Sequence, residues 1–272
     1  MRRAPAAAKL NLALVVGPLR PDGKHEVCTV LQRIDLADRV EVRAAPRLAV
    51  RGFAGDTLVT RALELLAAEA GVEPRWEARL TKRVPVASGL GGGSSDAATA
   101  LRLANETLDG PLPQEQLVAI ARRLGADVPF SLVAGPQLGT GDGSELAPLE
   151  LPQDYWVVVA IPDGEEKSSS ADVYARFDER RGAEGFDERR AHLRELLPSL
   201  RRSRDLAQLP RNDLASSPLS DELLELGAFR ADVTGAGPAV YGLFHRREDA
   251  EAAESRIRSR GRVWLTVPAW YF

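Results

Sequence analysis

Cysteine is almost missing from this 272-residue chain: Cys28 is the one thiol, so no internal disulfide can form. That excludes a disulfide-stapled scaffold and fits a reducing cytoplasm, with Cys28 read as a buried small hydrophobe. Lysine is scarce as well. Of 36 lysines and arginines, only Lys9, Lys24, Lys82 and Lys167 are lysine, a skew read as genomic that still singles out each of the four. Basic excess is lacking too, with a formal charge of −3, which argues against a nucleic-acid partner. No apolar run approaches the roughly 20 residues of a membrane span. The stretch MRRAPAAAKLNLALVV has the arginines of a signal peptide, but Lys9 and Asn11 interrupt its apolar part. A cytoplasmic protein away from membranes is expected.

What is present is 44% hydrophobic and 28% charged residues, enough for a real core, in a length that favours two domains. Alternation marks strands at 39–43, 47–51 and 75–81. Asp56 reads as the N-cap of a helix carrying Leu58, Ala62, Leu65 and Leu66, stopped by Gly71. Pro113 opens a helix striped with Leu117, Ile120, Ala121 and Leu124 and stopped by Gly125. Another helix is expected over about 95–108. The Gly, Pro and Asp-rich text at 135–152 reads as a crossover between domains. Beyond it come a strand at 156–161, helices at 187–200 and 220–227, a strand at 239–244, a helix at 248–260 and a strand at 262–267. The expectation is an α+β protein of two domains, 1–150 and 151–272. The mixed charges of 178–205 read as a solvated helical face.

The stretch VPVASGLGGGSSDAATAL, 84–101, decides the function. A Walker A loop would need a lysine after Gly93, where Ser94 stands, and a dinucleotide fingerprint would need glycine at 94. A linker does not fit either, because apolar text runs into the loop and a helix runs out of it. Strand end, glycine loop and helix start together make an anion cradle, with Ser94 and Ser95 adding hydroxyl donors. On physical grounds alone the reading stops there.

The run PVASGLGGGSSDAA resembles the glycine-serine loop of the GHMP kinases, the family of galacto-, homoserine, mevalonate and phosphomevalonate kinases. AAKLNLALVVGPLRPDGKHEV at the start, GADVPF at 125–130 and TGAGPAVYGLF at 234–244 follow the family's order, so the resemblance covers nearly the whole chain. The KLNL start, the DGKHE turn and RNDL at 211–214 are similar to a branch that phosphorylates a cytidyl alcohol. The resemblance implies the two-domain GHMP kinase fold with its site in the interdomain cleft. It implies ATP with Mg²⁺, and a monomer or homodimer. ATP would be bound by Pro85, Val86, Ala87, Ser88, Gly89, Leu90, Gly91, Gly92, Gly93, Ser94 and Ser95. Asp127 would be the base and Lys9 its partner, with Asn11, His25 and Tyr174 joining them on the substrate.

For each residue a plain reading stands beside this one. Asp127 could end a helix in an Asx turn, Lys9 could sit on an edge strand, and Tyr174 could belong to the core. His25 could be a hydrogen-bonded turn residue; it has no ligand partner nearby for zinc. Gly235 to Gly237 could be a hairpin turn as well as a lip over the substrate phosphates. Three positions depart from the branch. Lys24 stands where an aromatic residue is usual, Ala7 where proline is, and Thr57 where asparagine is common. A homoserine- or mevalonate-type kinase, or a nucleotide-binding relative without catalysis, are the competing readings.

Overall fold

The computed structural model describes residues 1–164 and 169–269; Lys167 lies outside the described residues. The chain opens with two long strands, β1 (Arg2–Leu19) and β2 (His25–Ala44), paired antiparallel from Arg2 opposite Val42 to Leu19 opposite His25. There follow β3 (Ala49–Arg51), α1 (Leu58–Ala70), β4 (Trp76–Thr81), α2 (Gly92–Asn105) and α3 (Gln114–Leu124). Next come β5 (Gln137–Thr140), β6 (Glu145–Pro148), β7 (Trp156–Pro162), α4 (Ser170–Glu179) and α5 (Phe186–Leu196). The chain continues through α6 (Pro218–Glu225), β8 (Arg230–Val233), β9 (Val240–Phe244), α7 (Arg247–Ile257) and β10 (Gly261–Thr266).

Strands β1 to β6 form one sheet, in which β1 takes one edge of β2. β4 and β5 share the other edge, against Arg39–Ala44 and Thr29–Leu31. The second sheet is antiparallel in the order β10-β7-β9-β8. Helices α1, α2 and α3 cover the first sheet around Val40, Val42, Leu63, Leu66 and Leu101. Helices α6 and α7 cover the second through Leu219, Leu223 and Ile257. Between the sheets, Leu10, Leu12, Val30 and Ile34 meet Val157, Val159, Tyr241 and Leu243 in one cluster. A bulge between Asn11 and Ala13 takes Leu12 out of the β1–β2 ladder. Its carbonyl accepts instead from Arg230 Nη2 at 2.5 Å and from the Tyr241 hydroxyl at 3.2 Å. One irregular residue thereby ties the two sheets together.

Several expectations are corrected. The stretch 135–152 is not a bare crossover: β5 and β6 form a hairpin that extends the first sheet. Its glycines, Gly141 and Gly143, both hold positive φ in the turn. The buried face of α1 is Val59, Ala62, Leu63, Leu66 and Ala67, one position round from the expected stripe. Asp56 does cap α1, accepting from Val59 N and Thr60 N at 3.2 Å each, although the helix begins a residue later. Helix α2 starts at Gly92, inside the glycines rather than after them. The stripe expected for α3 is the buried face observed. Burial leaves Cys28 with no exposed surface and pushes its thiol up, away from reactivity. Among the described residues no helix is long and apolar enough to cross a membrane.

Candidate active site

A cavity of about 640 Å³ lies where β1, the glycine loop, the turn after α3, the β5–β6 turn and the β8–β9 turn converge. Lys9 and Asn11 enter it from β1, two residues apart and so on one face. Lys9 is 6% exposed, an expensive place for an ammonium without partners. It has two: Nζ donates to Asn11 Oδ1 at 2.6 Å and stands 3.5 Å from Asp127 Oδ2. The Asn11 amide donates to Thr29 Oγ1 at 2.8 Å, and its backbone N–H donates to Thr234 Oγ1 at 3.0 Å. Thr29 and Thr234 escaped the sequence reading as partners of Asn11: Thr29 carries no motif, and Thr234, though it opens the TGAGPAVYGLF stretch, lies 223 residues away. Asp127 sits between helix-ending Gly125 and the buried Val128, Pro129 and Phe130, which anchor the turn and leave its carboxylate 44% exposed.

The glycine loop needs its glycines for two separate reasons. Gly89 and Gly91 hold φ of 87° and 69°, and a Cβ on Gly89 would stand 2.2 Å from the Thr234 carbonyl. A Cβ on Gly91 would stand 2.9 Å from Lys9 Cγ, so the loop passes directly over the lysine. The β8–β9 turn packs from the other side, where a Cβ on Gly237 would meet Ser88 and Gly89 backbone atoms at 2.1 to 2.2 Å. Gly235 to Gly237 is therefore both a hairpin turn and a lip on the loop. Asn212 holds that turn, donating to Val233 O and Gly235 O, while Asp213 accepts from Val16 N on β1 at 2.9 Å. Ala87 keeps a left-handed φ of 57° without being glycine, a local strain at the cavity wall. Helix α2 makes its first bond from Ser95 N to Gly91 O, so the N–H groups of Gly92, Gly93 and Ser94 precede the intrahelical ladder.

Of the residues expected at the site, Lys9, Asn11, Pro85, Ala87, Ser88, Gly89, Gly91, Gly92, Gly93, Ser94, Asp127 and Tyr174 line this cavity. Four do not. Leu90 is fully buried in the core between the sheets, and Val86 points outward, 60% exposed. Ser95 faces a different hollow beside Thr99 and Arg33, on the next side of the helix. His25 stacks on Tyr174 with ring centres 4.8 Å apart and its Nε2 lies 2.9 Å from Asp178 Oδ1. It lies beside Tyr174 and does not itself line the cavity. Tyr174 is partly buried, and burial together with the Asp127 charge pushes its hydroxyl up to about 12.

Behind the loop lies a cluster with no sequence signature. Lys82 Nζ donates to Asp38 Oδ2 and, at 2.6 Å, to Asp96 Oδ2, while Asp38 Oδ1 accepts from the Arg83 and Val84 N–H groups. The start of the glycine loop is thus tied to a carboxylate on β2, and Lys82 links that carboxylate to Asp96 beyond the loop's end. Asp96 Oδ1 is buried with no hydrogen-bond partner among the described residues. Burial, and then the Asp38 charge, push the Asp96 carboxyl up to about 7 against the pull of Lys82. In the unfolded chain it titrates near the ordinary carboxylate range of roughly 4. The folded protein therefore holds more protons between these values, and the Asp96 contribution to stability falls as pH rises from about 4 to 7. Asp96→Asn, which has no proton to lose, is expected to change Tm more favourably at pH 8 than at pH 5.5. Thermal melts across pH check this; a variant–parent difference independent of pH would show that Asp96 does not titrate there.

Two sheets with a glycine loop at a helix start, facing a buried lysine paired with a half-exposed aspartate, define a phosphotransferase of a known kind. The family models for the GHMP kinases N terminal domain and GHMP kinases C terminal match residues 57–135 and 189–263, and the chain belongs to this family. It is 37% identical over 267 residues to the 4-diphosphocytidyl-2-C-methyl-D-erythritol kinase of Gloeobacter violaceus, covering 92% of this chain and 88% of that one. To the enzyme of the same name from Pelotomaculum thermopropionicum it is 38% identical over 273 residues, covering 93% and 92%. A crystal structure of 4-(cytidine 5'-diphospho)-2C-methyl-D-erythritol kinase superimposes with a TM-score of 0.80 at 30% identity, over 98% of this chain and 99% of the other.

Proposed function

We propose that the protein transfers the γ-phosphoryl group of ATP to the 2-hydroxyl of 4-diphosphocytidyl-2-C-methyl-D-erythritol, a step of the non-mevalonate route to isoprenoid precursors. The observation that carries the reading is the Lys9–Asp127 pair, 3.5 Å apart beneath the glycine loop. The proposed domains, 1–150 and 151–272, each supply walls of the cavity. The triphosphate lies on the free N–H groups at the start of α2, where the helix dipole favours negative charge. Asp127 accepts the hydroxyl proton as the oxygen attacks the γ-phosphorus, and the bond to the β-phosphate oxygen breaks. Lys9 keeps Asp127 in place and offsets charge on the moving group; Asn11 and its threonines fix Lys9. Among the described residues no three acidic, histidine or cysteine side chains cluster as a metal cage. Mg²⁺ would enter with the nucleotide, which suits an ion that keeps most of its water and phosphate ligands.

Release of ADP, followed with cytidyl and non-cytidyl alcohols in parallel, tests the substrate. Activity confined to homoserine or mevalonate would replace the cytidyl reading while keeping the kinase. Tyr174 is the aromatic face that the cavity offers to a base. Base–aromatic stacking contributes about 1–3 kcal/mol, so Tyr174→Ala is expected to raise KM for the cytidyl alcohol by about 5–100-fold. KM for ATP should hold, and a silent Tyr174→Ala would remove the base from that wall.

A further inference from the structure

The anion cradle has carboxylates at its back. A Cβ on Gly92, the first residue of α2, would stand 3.4 Å from Asp38 Oδ2, so that carboxylate lies directly beneath the helix start. Asp96 follows one helical turn on, and the two residues are 1% and 2% exposed. Negative charge there opposes a phosphate seated on the N–H groups of Gly92, Gly93 and Ser94. Lys82 Nζ donates to both carboxylates and cancels one of the two charges. The other has no counterpart, and Asp96 Oδ1 is buried without a partner among the described residues. Asp38 from β2 and Lys82 from the segment after β4 are the charged groups that act on Asp96. Helix α1 turns an apolar face, Val59, Ala62 and Leu63, into the core that Ala97 and Ala100 share. Lys9 of β1 meets the loop at Gly91 instead. Burial and the Asp38 charge push the Asp96 carboxyl up to about 7, so this group changes charge near neutral pH.

We infer that Lys82 is the positioning residue of the phosphate cradle, and that Asp96, in its cluster with Asp38, takes up a proton as the triphosphate seats. This rests on the nucleotide reading of the glycine loop proposed above and adds a coupling to it. The proton comes from solvent and stays on the Asp96 carboxyl, while Lys82 keeps its charge and its bonds. The cluster passes from net negative to neutral as the nucleotide's charge arrives in front of Gly92. Without that proton, like charges would face each other across one turn of helix, weakly screened because the cluster is buried. The same cluster sets the geometry. Asp38 Oδ1 holds the Arg83 and Val84 N–H groups at the loop's start, and Lys82 joins Asp38 to Asp96 on α2. ATP binding and protonation therefore strengthen each other, by the reciprocity of linked equilibria.

Calorimetric titration of the whole protein with ATP, in buffers of different ionisation enthalpy, counts the protons bound with the nucleotide. Asp96→Asn has no proton to gain and reports the nucleotide's own titration, so the parent's excess over it is the readout. That excess is expected to be about half a proton per ATP near pH 7.5, and close to none near pH 5.5, where Asp96 already holds its proton. Relative to Asp96→Asn, the parent's ATP affinity should fall by about 3–10-fold as pH rises from about 6 to 9. Asp38→Asn removes the charge that favours the proton, and the excess should largely vanish with it. Lys82→Met should weaken ATP binding by about fivefold or more, and Lys82→Arg should restore it. Equal proton uptake by the parent and Asp96→Asn near pH 7.5 overturns the coupling. If a thermal melt shows Asp96→Asn unfolded, Asp38→Asn takes its place in that comparison. A folded Lys82→Met with parental ATP affinity overturns the positioning role of Lys82. A parent that binds no ATP at all overturns the phosphate-cradle reading itself, a failure distinct from binding without proton uptake.

Discussion

Replacing Asp127 by asparagine is expected to lower kcat by about 10²–10⁴-fold while ATP affinity stays near that of the parent. Asparagine keeps the shape and the turn between Gly125 and Val128 but cannot take up the hydroxyl proton. The carboxylate is half-open to the cavity, so an incoming alcohol can reach it without rearrangement of the turn. Lys9→Met should also lower kcat, on the order of 10²-fold or more, because methionine fills the stem's space without the charge. Its stem must be filled, since the loop at Gly91 rests on it. In the proposed mechanism both residues serve one proton transfer, so the double variant should lose less than the product of the two single losses. Steady-state kinetics on the four proteins measure this. Full multiplicativity would show that the two side chains act independently, despite their 3.5 Å separation.

Gly93→Val is expected to weaken ATP binding by at least about tenfold with little change in Tm. A Cβ at Gly93 would meet nothing within 4 Å, and the residue is exposed at the mouth of the anion cradle without positive φ. The added methyls occupy the space over the first N–H groups of α2, where a phosphate must come. Neighbouring glycines would confuse the test. A Cβ at Gly92 would press on Val84 Cγ1 at 2.9 Å, and one at Gly89 would collide with the Thr234 carbonyl. Those substitutions disturb the fold together with the ligand. Calorimetry with ATP, paired with a thermal melt, separates the two effects. A folded Gly93→Val with parental affinity would mean that the triphosphate does not lie on this helix end.

Much of the molecule is written locally. The α3 stripe, the Gly71 stop and the run of β1 that carries Lys9 and Asn11 follow from spacing that any helix or strand must obey. The glycine loop also declares itself, because clustered glycines cost chain entropy and are kept where backbone must approach something closely. The start of α2 was less legible. Glycine is a poor helix former, yet Gly92 and Gly93 are helical because Asp38, Lys82 and Val84 hold the turn from behind. The β5–β6 hairpin hid in turn-rich text for a similar reason: four-residue strands are stable only against the edge that β2 offers.

The sequence by itself therefore determined the family and the glycine loop, since each is read from patterns within a few neighbouring residues. Only the tertiary structure decided how those patterns face one another. It put Lys9 beside Asp127 across more than a hundred residues of chain and set His25 beside Tyr174. It joined Lys24 to Asp142 and closed Asp38, Lys82 and Asp96 into one buried cluster. Such contacts are made by bulges, sheet edges and turns meeting in space. Their energies depend on burial and distance, which no local spacing encodes.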